Sequence, residues 1–296
     1  RRRRNRRGCM MARYQVSKVL YVGPNRDGSA DVSFVVALGG NAKTSSVISL
    51  VIAPTIAVRA CQAVPMGSHV TKITAAYVEG IASSIRDVCG SCVLADRETA
   101  KPLGLYACYA QKNFQNAGQP AAICRQATGE PSPGELDLKT WTDVLTMADM
   151  MGVSHVRSAV AGDLGMLPEH IVRAFIGAVP KSFDWLGYTH QWYRTPWLRD
   201  THMASTQGKA SAYRAAESRG WRVFHVHLGS DPDVPTDLVH CPEQAAKLRG
   251  AHVSCIGCKH KCDGAADASR RSTFVIDHGP GARVATSAAG LAVLSA

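Results

Sequence analysis

The sequence lacks any apolar run long enough to cross a membrane. A transmembrane helix needs about 20 consecutive apolar residues, and the best candidate, residues 47–58, is shorter and is interrupted by Pro54. The residues after Met11 also lack the apolar core and the small-residue cleavage site of a secretory signal peptide. We therefore expect a cytoplasmic protein without a membrane partner.

Nucleotide-binding fingerprints are missing as well. No predicted strand-to-helix turn carries the glycine-rich G-x-G-x-x-G sequence of dinucleotide-binding folds. The segment LGGNAKTSS resembles a phosphate-binding loop only superficially, because Ala37 and Ala42 stand where the pattern G-x4-G-K-[ST] requires glycine. We interpret this segment as a plain turn.

The composition excludes disorder and fibrous repeats. Apolar residues make up 46% and charged residues 19% of the 296 residues, which is ordinary for a globular enzyme with a full core. The formal net charge is +11, but six arginines lie in the opening RRRRNRRG, and taking these six from +11 leaves +5. We therefore interpret residues 1–10 as a disordered basic leader, with a nucleic-acid-binding arm as the alternative.

Cysteine, by contrast, is abundant, with ten residues in the chain. Four of them form the pattern C-P-x12-C-x2-C-x3-C within residues 240–264: Cys241, Cys255, Cys258 and Cys262. Thiolates two residues apart can both reach one tetrahedral zinc ion or one iron of a cluster. In a reducing compartment such a group favours a metal over disulfides. The sequence predicts a metal site here and leaves zinc and an iron–sulfur cluster both open.

The order of the predicted elements favours an α/β fold. Residues 11–68 form a β-rich segment, and residues 69–86 are predicted to be helical. From residue 135 onward, helices (135–151, 168–179 and 209–219) alternate with strands (154–163, 184–192, 201–208, 221–229 and 272–279). This alternation implies parallel β-α units. We expect residues 69–296 to form an incomplete or irregular barrel that contains the cysteine-rich insert 240–264.

Polar residues fall at the carboxyl ends of these predicted strands, where active groups gather in parallel α/β folds. The candidates for a catalytic pocket are Asp163, His190, Gln191, Ser205, His225 and His227. Each alone is more often a helix cap or a satisfied hydrogen-bond partner, but the set predicts a pocket. A carboxylate and imidazoles can supply an acid/base pair, while Gln191 and Ser205 orient a polar substrate. His225 and His227, two apart on one strand, share a face as metal ligands or as an acid/base and its orienting partner.

A second cysteine group contains CGSCVL and CYA, that is, Cys89, Cys92 and Cys108. Together with HVRSAVAGD, GYTHQW, MAS, GWRVF, CIGCKHKC and DHG, these motifs resemble an uncharacterised family of phage and bacterial proteins. That family is distantly similar to the radical S-adenosylmethionine (SAM) barrel proteins. The resemblance covers residues 87–279.

The resemblance implies a [4Fe-4S] cluster at Cys89, Cys92 and Cys108, with one iron left open for SAM. The family pattern is C-x3-C-x2-C, whereas this chain has C-x2-C-x15-C. The four cysteines of the insert would be similar to the auxiliary cluster sites of some of these enzymes.

Two functions follow as hypotheses. The first is a metal- or cluster-bearing enzyme that acts on a small molecule or nucleotide at the strand-end pocket. The second is a zinc-stapled protein that binds nucleic acid without catalysis, through its basic surface and the aromatic residues Trp185, Trp192, Tyr193 and Trp197.

Overall fold

A computed structural model describes residues 16–41, 45–82, 84–90, 92, 114–227, 235–251, 253–264 and 271–276. In chain order these residues form β1 (Val16–Pro24), β2 (Asp31–Asn41), β3 (Ser45–Pro54), α1 (Thr55–Ala63), α2 (Val70–Ala82), α3 (Ile85–Cys89), α4 (Phe114–Gln126), α5 (Leu138–Met150), β4 (His155–Ala161), α6 (Glu169–Gly177), β5 (Asp184–Leu186), β6 (Tyr188–Thr189), β7 (Met203–Gln207), α7 (Ala210–Glu217), β8 (Val223–His227), β9 (Val239–His240), α8 (Pro242–Leu248) and β10 (Thr273–Ile276).

The strands form two five-stranded sheets. The first has the order β1-β2-β3-β4-β5, in which β1, β2 and β3 are antiparallel neighbours and β3, β4 and β5 run parallel. The second has the order β6-β7-β8-β10-β9 and is parallel throughout. The predicted mixed α/β fold with parallel units is thus confirmed. Because Gly187 alone separates β5 from β6, one extended run passes from the first sheet to the second.

Helices cover both faces of the first sheet, because the alternating side chains of its strands are apolar on both sides. On one face, Trp141 of α5 stacks on Phe175 of α6 with ring centroids 4.5 Å apart, and its Nε1 donates to the Phe175 carbonyl at 3.1 Å. On the other face, α1, α2 and α4 bury Val58, Tyr77 and Ile123. The sheet is therefore a buried scaffold, as parallel strands require.

The β-rich segment at residues 11–68 shares its sheet with the later part of the chain. β3 pairs in parallel with β4, about a hundred residues further on, so the meander β1-β2-β3 extends the α/β sheet. No helix in the described residues is long and apolar enough to cross a membrane.

The cysteine-rich insert at residues 240–264 contains regular structure. Its helix α8 begins at Pro242, directly after Cys241. Proline is well suited to the first helical turn because it lacks the N–H that would remain unsatisfied there. The side-chain amide of Gln244 in α8 then pairs with the backbone of Ile276, donating at 2.7 Å and accepting at 2.8 Å. The helix is thereby fastened to the end of β10.

Candidate functional site

A buried carboxylate lies just beyond the carboxyl end of β4. Gly162, with φ of +76°, turns the chain beside the Ile52 carbonyl, where a Cβ atom would clash. This turn delivers Asp163, which is 3% exposed. Its Oδ1 accepts hydrogen bonds from the Gly165 N–H (2.9 Å) and the Thr189 hydroxyl (2.8 Å), and its Oδ2 accepts from the His190 N–H (2.7 Å). Asp163 therefore caps the next turn and also fixes the end of β6.

His190 lies between this carboxylate and a hydroxyl on the next strand. Its Nε2 shares a hydrogen bond of 3.1 Å with the Ser205 hydroxyl on β7, and its Nδ1 is 3.9 Å from Oδ2 of Asp163. Burial lowers the pKa of His190, and the Asp163 charge opposes that shift only in part. The imidazole is therefore neutral near pH 7 and can accept a proton.

The cysteine group that contains Cys89 and Cys92 reaches the same rim. The Gln191 side chain donates from Nε2 to the Cys89 carbonyl at 3.0 Å, and the Asp163 N–H donates to the Val88 carbonyl at 2.8 Å. Gly90 adopts φ of +56° and approaches Gln191 so closely that a Cβ would lie 2.8 Å from Nε2. Cys89 and Cys92 are buried and form no disulfide, while Cys108 lies outside the described residues.

The two strand histidines occupy a different face of the second sheet. In the β7–β8 register, Ser205 pairs with Phe224 and Thr206 with His225, so the last two share the face opposite to Ser205. His225 Nδ1 shares a hydrogen bond of 2.9 Å with the Thr206 hydroxyl, and its ring packs edge-on to Tyr213 of α7. His227 lies on this same side. The structure thus brings Asp163, His190 and Ser205 together and separates both strand histidines from them.

We call the face of the second sheet that carries Ser205, Phe224 and Tyr188 the cysteine face, because the cysteine-rich insert docks on it. The Gly187 N–H donates to the Cys262 carbonyl at 2.8 Å. Lys261 of the insert pairs with Asp184 at the start of β5, with a distance of 2.6 Å between Nζ and Oδ1. Gly264 packs directly on the Arg199 and His202 carbonyls, so a side chain larger than hydrogen would not fit there.

A single arginine organises the same insert. Arg222, 4% exposed, donates hydrogen bonds to the carbonyls of residues 260, 261, 263 and 271 and to Oδ1 of Asp263 at 2.8 Å. The planar guanidinium suits this task because its donors project in several fixed directions. Sequence reasoning missed Arg222, since nothing in GWRVF distinguishes it from a surface residue.

The four thiols of the insert interact electrostatically with one another. The pKa of the Cys262 thiol is raised to about 12, chiefly by burial and also by the neighbouring Cys241, Cys255 and Cys258, although a hydrogen bond with Tyr188 opposes the shift. Within the described residues, however, no three His, Cys, Asp or Glu side chains are arranged to hold a metal ion. A shared metal centre at the four cysteines therefore stays a prediction.

A cavity of about 380 Å³ lies next to α3, the helix that ends at Cys89. It is lined by the start of α1 and by the polar residues Asp31, Arg59, Ser84 and Asp87. Asp87 lies two residues before Cys89 in α3, so this cavity and the rim share the same short helix. This cavity could not be predicted from the sequence, because its lining comes from three separate segments.

Comparisons with models of protein families, with curated proteins and with solved structures found no match. The function is therefore argued from the site alone.

Proposed function

We propose that this chain is a metal- or iron–sulfur-binding enzyme that acts on a small polar molecule or nucleotide at the rim formed by the ends of β4 and β6. One observation carries this proposal. The loop bearing Cys89 and Cys92 is hydrogen-bonded to Gln191 and Asp163, so the predicted cluster ligands and the predicted acid/base residues belong to one site. The radical SAM resemblance would place a cluster in that position.

The donor set of the insert fits a second metal centre. Cys241, Cys255 and Cys258 all contribute to raising the pKa of Cys262, because thiolates at these positions would repel one another. A divalent cation or an iron–sulfur cluster would remove that repulsion. Cys241 follows β9 and Tyr188 lies on β6, at opposite edges of the second sheet. In a flat sheet, four strand spacings would separate these edges by about 19 Å. Because Cys241 nonetheless contributes to raising the pKa of Tyr188, we infer that the sheet curls as in an irregular barrel.

Proton transfer is the chemistry that the rim residues support. His190, neutral and hydrogen-bonded to Ser205, accepts a proton from a substrate bound at the rim. Asp163 holds the His190 backbone in place and stabilises the imidazolium that forms. The Gln191 amide, already committed to Cys89 through Nε2, retains Oε1 as a buried acceptor for a substrate donor. Cys89 and Cys92 would hold the metal centre next to these groups, where it would act on the bound substrate.

The metal content of the Cys92→Ser variant tests this assignment. We expect the wild-type chain, purified without oxygen, to contain metal at both cysteine groups, and Cys92→Ser to lose only the share held at the rim. Cys124→Ala is the matched control, because Cys124 is also buried and forms no disulfide but lies on α4 rather than at the rim. Elemental and sulfide analysis gives the stoichiometry. Equal metal content in wild type and Cys92→Ser would make Cys89 and Cys92 structural thiols.

A second candidate function, binding of single-stranded nucleic acid, is favoured by a cluster of arginines on aromatic rings next to the rim. Arg219, Arg194 and Arg173 lie 5.5, 5.6 and 6.0 Å from the ring centroids of Trp192, Tyr193 and Trp197, respectively. Such rings can stack on bases, and the arginines can neutralise phosphates. Trp185, by contrast, is buried in the core and takes no part. A colourless zinc protein that binds single strands in a salt-sensitive way would favour this function over the enzyme.

A further inference from the structure

We propose that Arg157 on β4 and Ser49 on β3 form a binding site for the anionic group, carboxylate or phosphate, of a small-molecule ligand. The two residues are direct neighbours across the parallel β3–β4 pair, and Leu186 on β5 continues the same row. Register partners in parallel strands share a face. Leu186 is two residues before Tyr188, so this row lies on the extension of the cysteine face into the first sheet.

Both polar groups lack a partner in the part of the chain that the structure describes. Nη1 of Arg157 is buried without a hydrogen bond, and the guanidinium makes no ion pair with any described residue. Ser49 is fully buried, and its hydroxyl has no hydrogen-bond partner either. Two adjacent, unsatisfied polar groups on one face differ from an isolated packing defect, because they offer complementary donors to a single acceptor.

Two other cations that the structure describes near this face have a counter-charge. Arg222 pairs with Asp263, and Lys261 pairs with Asp184, which lies on the strand next to Arg157. Arg157 is half-buried, and leaving its Nη1 buried without a partner is unfavourable. Since both of the other cations have a counter-charge, the lack of one for Arg157 among the described residues points to a counter-charge that comes from a ligand.

The chemistry of the two donors defines the ligand. A guanidinium presents parallel N–H groups that match the two oxygens of a carboxylate or phosphate, and the Ser49 hydroxyl can donate to a third oxygen. The apolar neighbours Ala37 and Leu186 in the same row exclude a bulky polar group. The site therefore suits the acidic end of a molecule rather than a cation or a neutral sugar.

The site and the rim lie on one run of the chain. His190 is four residues beyond Leu186 on the run through β5 and β6, a distance of roughly 13 Å. The cysteine-rich insert docks between them, at Gly187 and Tyr188, so the anion site is separate from the rim. The anion site itself requires neither the metal nor catalysis.

Thermal unfolding in the presence of inorganic phosphate and of acetate tests the site directly. At constant ionic strength, with chloride as the reference, one of these anions at about 100 times its dissociation constant is expected to raise the Tm of the wild type by about 5 °C. The rise should vanish in Arg157→Met and shrink in Ser49→Ala. The anion that gives the larger shift distinguishes a phosphate-bearing ligand from a carboxylate-bearing one.

The Tm of the variants without any added anion provides a second, independent measurement. Without added anion, Arg157→Met is expected to have a Tm equal to or above that of the wild type, because the substitution removes an unpaired cation. Lys139→Met is the control, since Lys139 is exposed and pairs with Asp143 on α5. The proposal is overturned if Arg157→Met keeps the anion response of the wild type, or if the wild type has none. Should Arg157→Met fail to fold, Arg157→Lys and Ser49→Ala still decide the matter through their weakened anion response.

Discussion

His190→Ala should lower turnover at the rim by about 100- to 10,000-fold, the range expected when a general acid/base is removed. The fold should persist, because the His190 side chain is 28% exposed and its backbone N–H still donates to Asp163. His170→Ala, an exposed histidine on α6, is the matched control and should leave turnover unchanged. Steady-state kinetics with melting curves for each variant gives the answer. A large fall in Tm with normal turnover per folded molecule would assign His190 to structure.

The pH dependence of the same reaction follows from the His190 pKa. Burial lowers that pKa below its usual value near 6.5, so the neutral, proton-accepting form persists below pH 6.5. The acidic limb of kcat/KM should therefore fall only as pH drops through the lowered pKa, and it should be absent in His190→Ala. An acidic limb above pH 6.5 would contradict this assignment.

Arg222→Met should detach the cysteine-rich insert and destabilise the chain by about 3–5 kcal/mol. Removing one partner of a buried ion pair leaves the other charge uncompensated, here Asp263, and it also removes the hydrogen bonds to four carbonyls of residues 260–271. The insert carries Cys255, Cys258 and Cys262, so metal retention should fall together with stability.

Urea unfolding and metal analysis of the same preparation separate this effect from a general loss of stability. Arg219→Met, an exposed arginine three residues earlier, should change neither quantity. Arg222→Lys should recover only part of the loss, because an ammonium group cannot reproduce the fixed directions of the guanidinium donors. A stable Arg222→Met variant with normal metal content would show that the insert is held by other contacts.

Periodicity was sufficient to predict most elements after residue 135. β4, α6, α7 and β8 fall within their predicted ranges, because each has a clear helical or alternating pattern and a proline or glycine at its boundary. α4 was missed because it contains Pro120 and has few apolar residues in regular positions. The order of strands in the second sheet could not be predicted from the sequence, since β10 lies between β8 and β9 although β9 precedes it in the chain.

Part of the candidate site could also be predicted from the pattern of strands. Strand ends identified Asp163, His190 and Ser205, which lie together because parallel strands end on the same side of a sheet. Alternation also placed His225 and His227 on one face, but which face depends on the register with β7, and that is a long-range property. Arg222 and Arg157 could not be singled out, because the sequence does not show that an arginine is buried or whether it has a partner.

Titration of the metal-free, reduced chain with Co²⁺ tests the central claim most directly, since cobalt bound by thiolates gives an intense charge-transfer absorption that oxygen ligands do not. We predict a thiolate absorption that saturates in the wild type and loses most of its insert component in Cys258→Ser, while Cys124→Ala keeps the full signal. A wild-type chain that gives no thiolate absorption, or a Cys258→Ser variant with an unchanged spectrum, would contradict it.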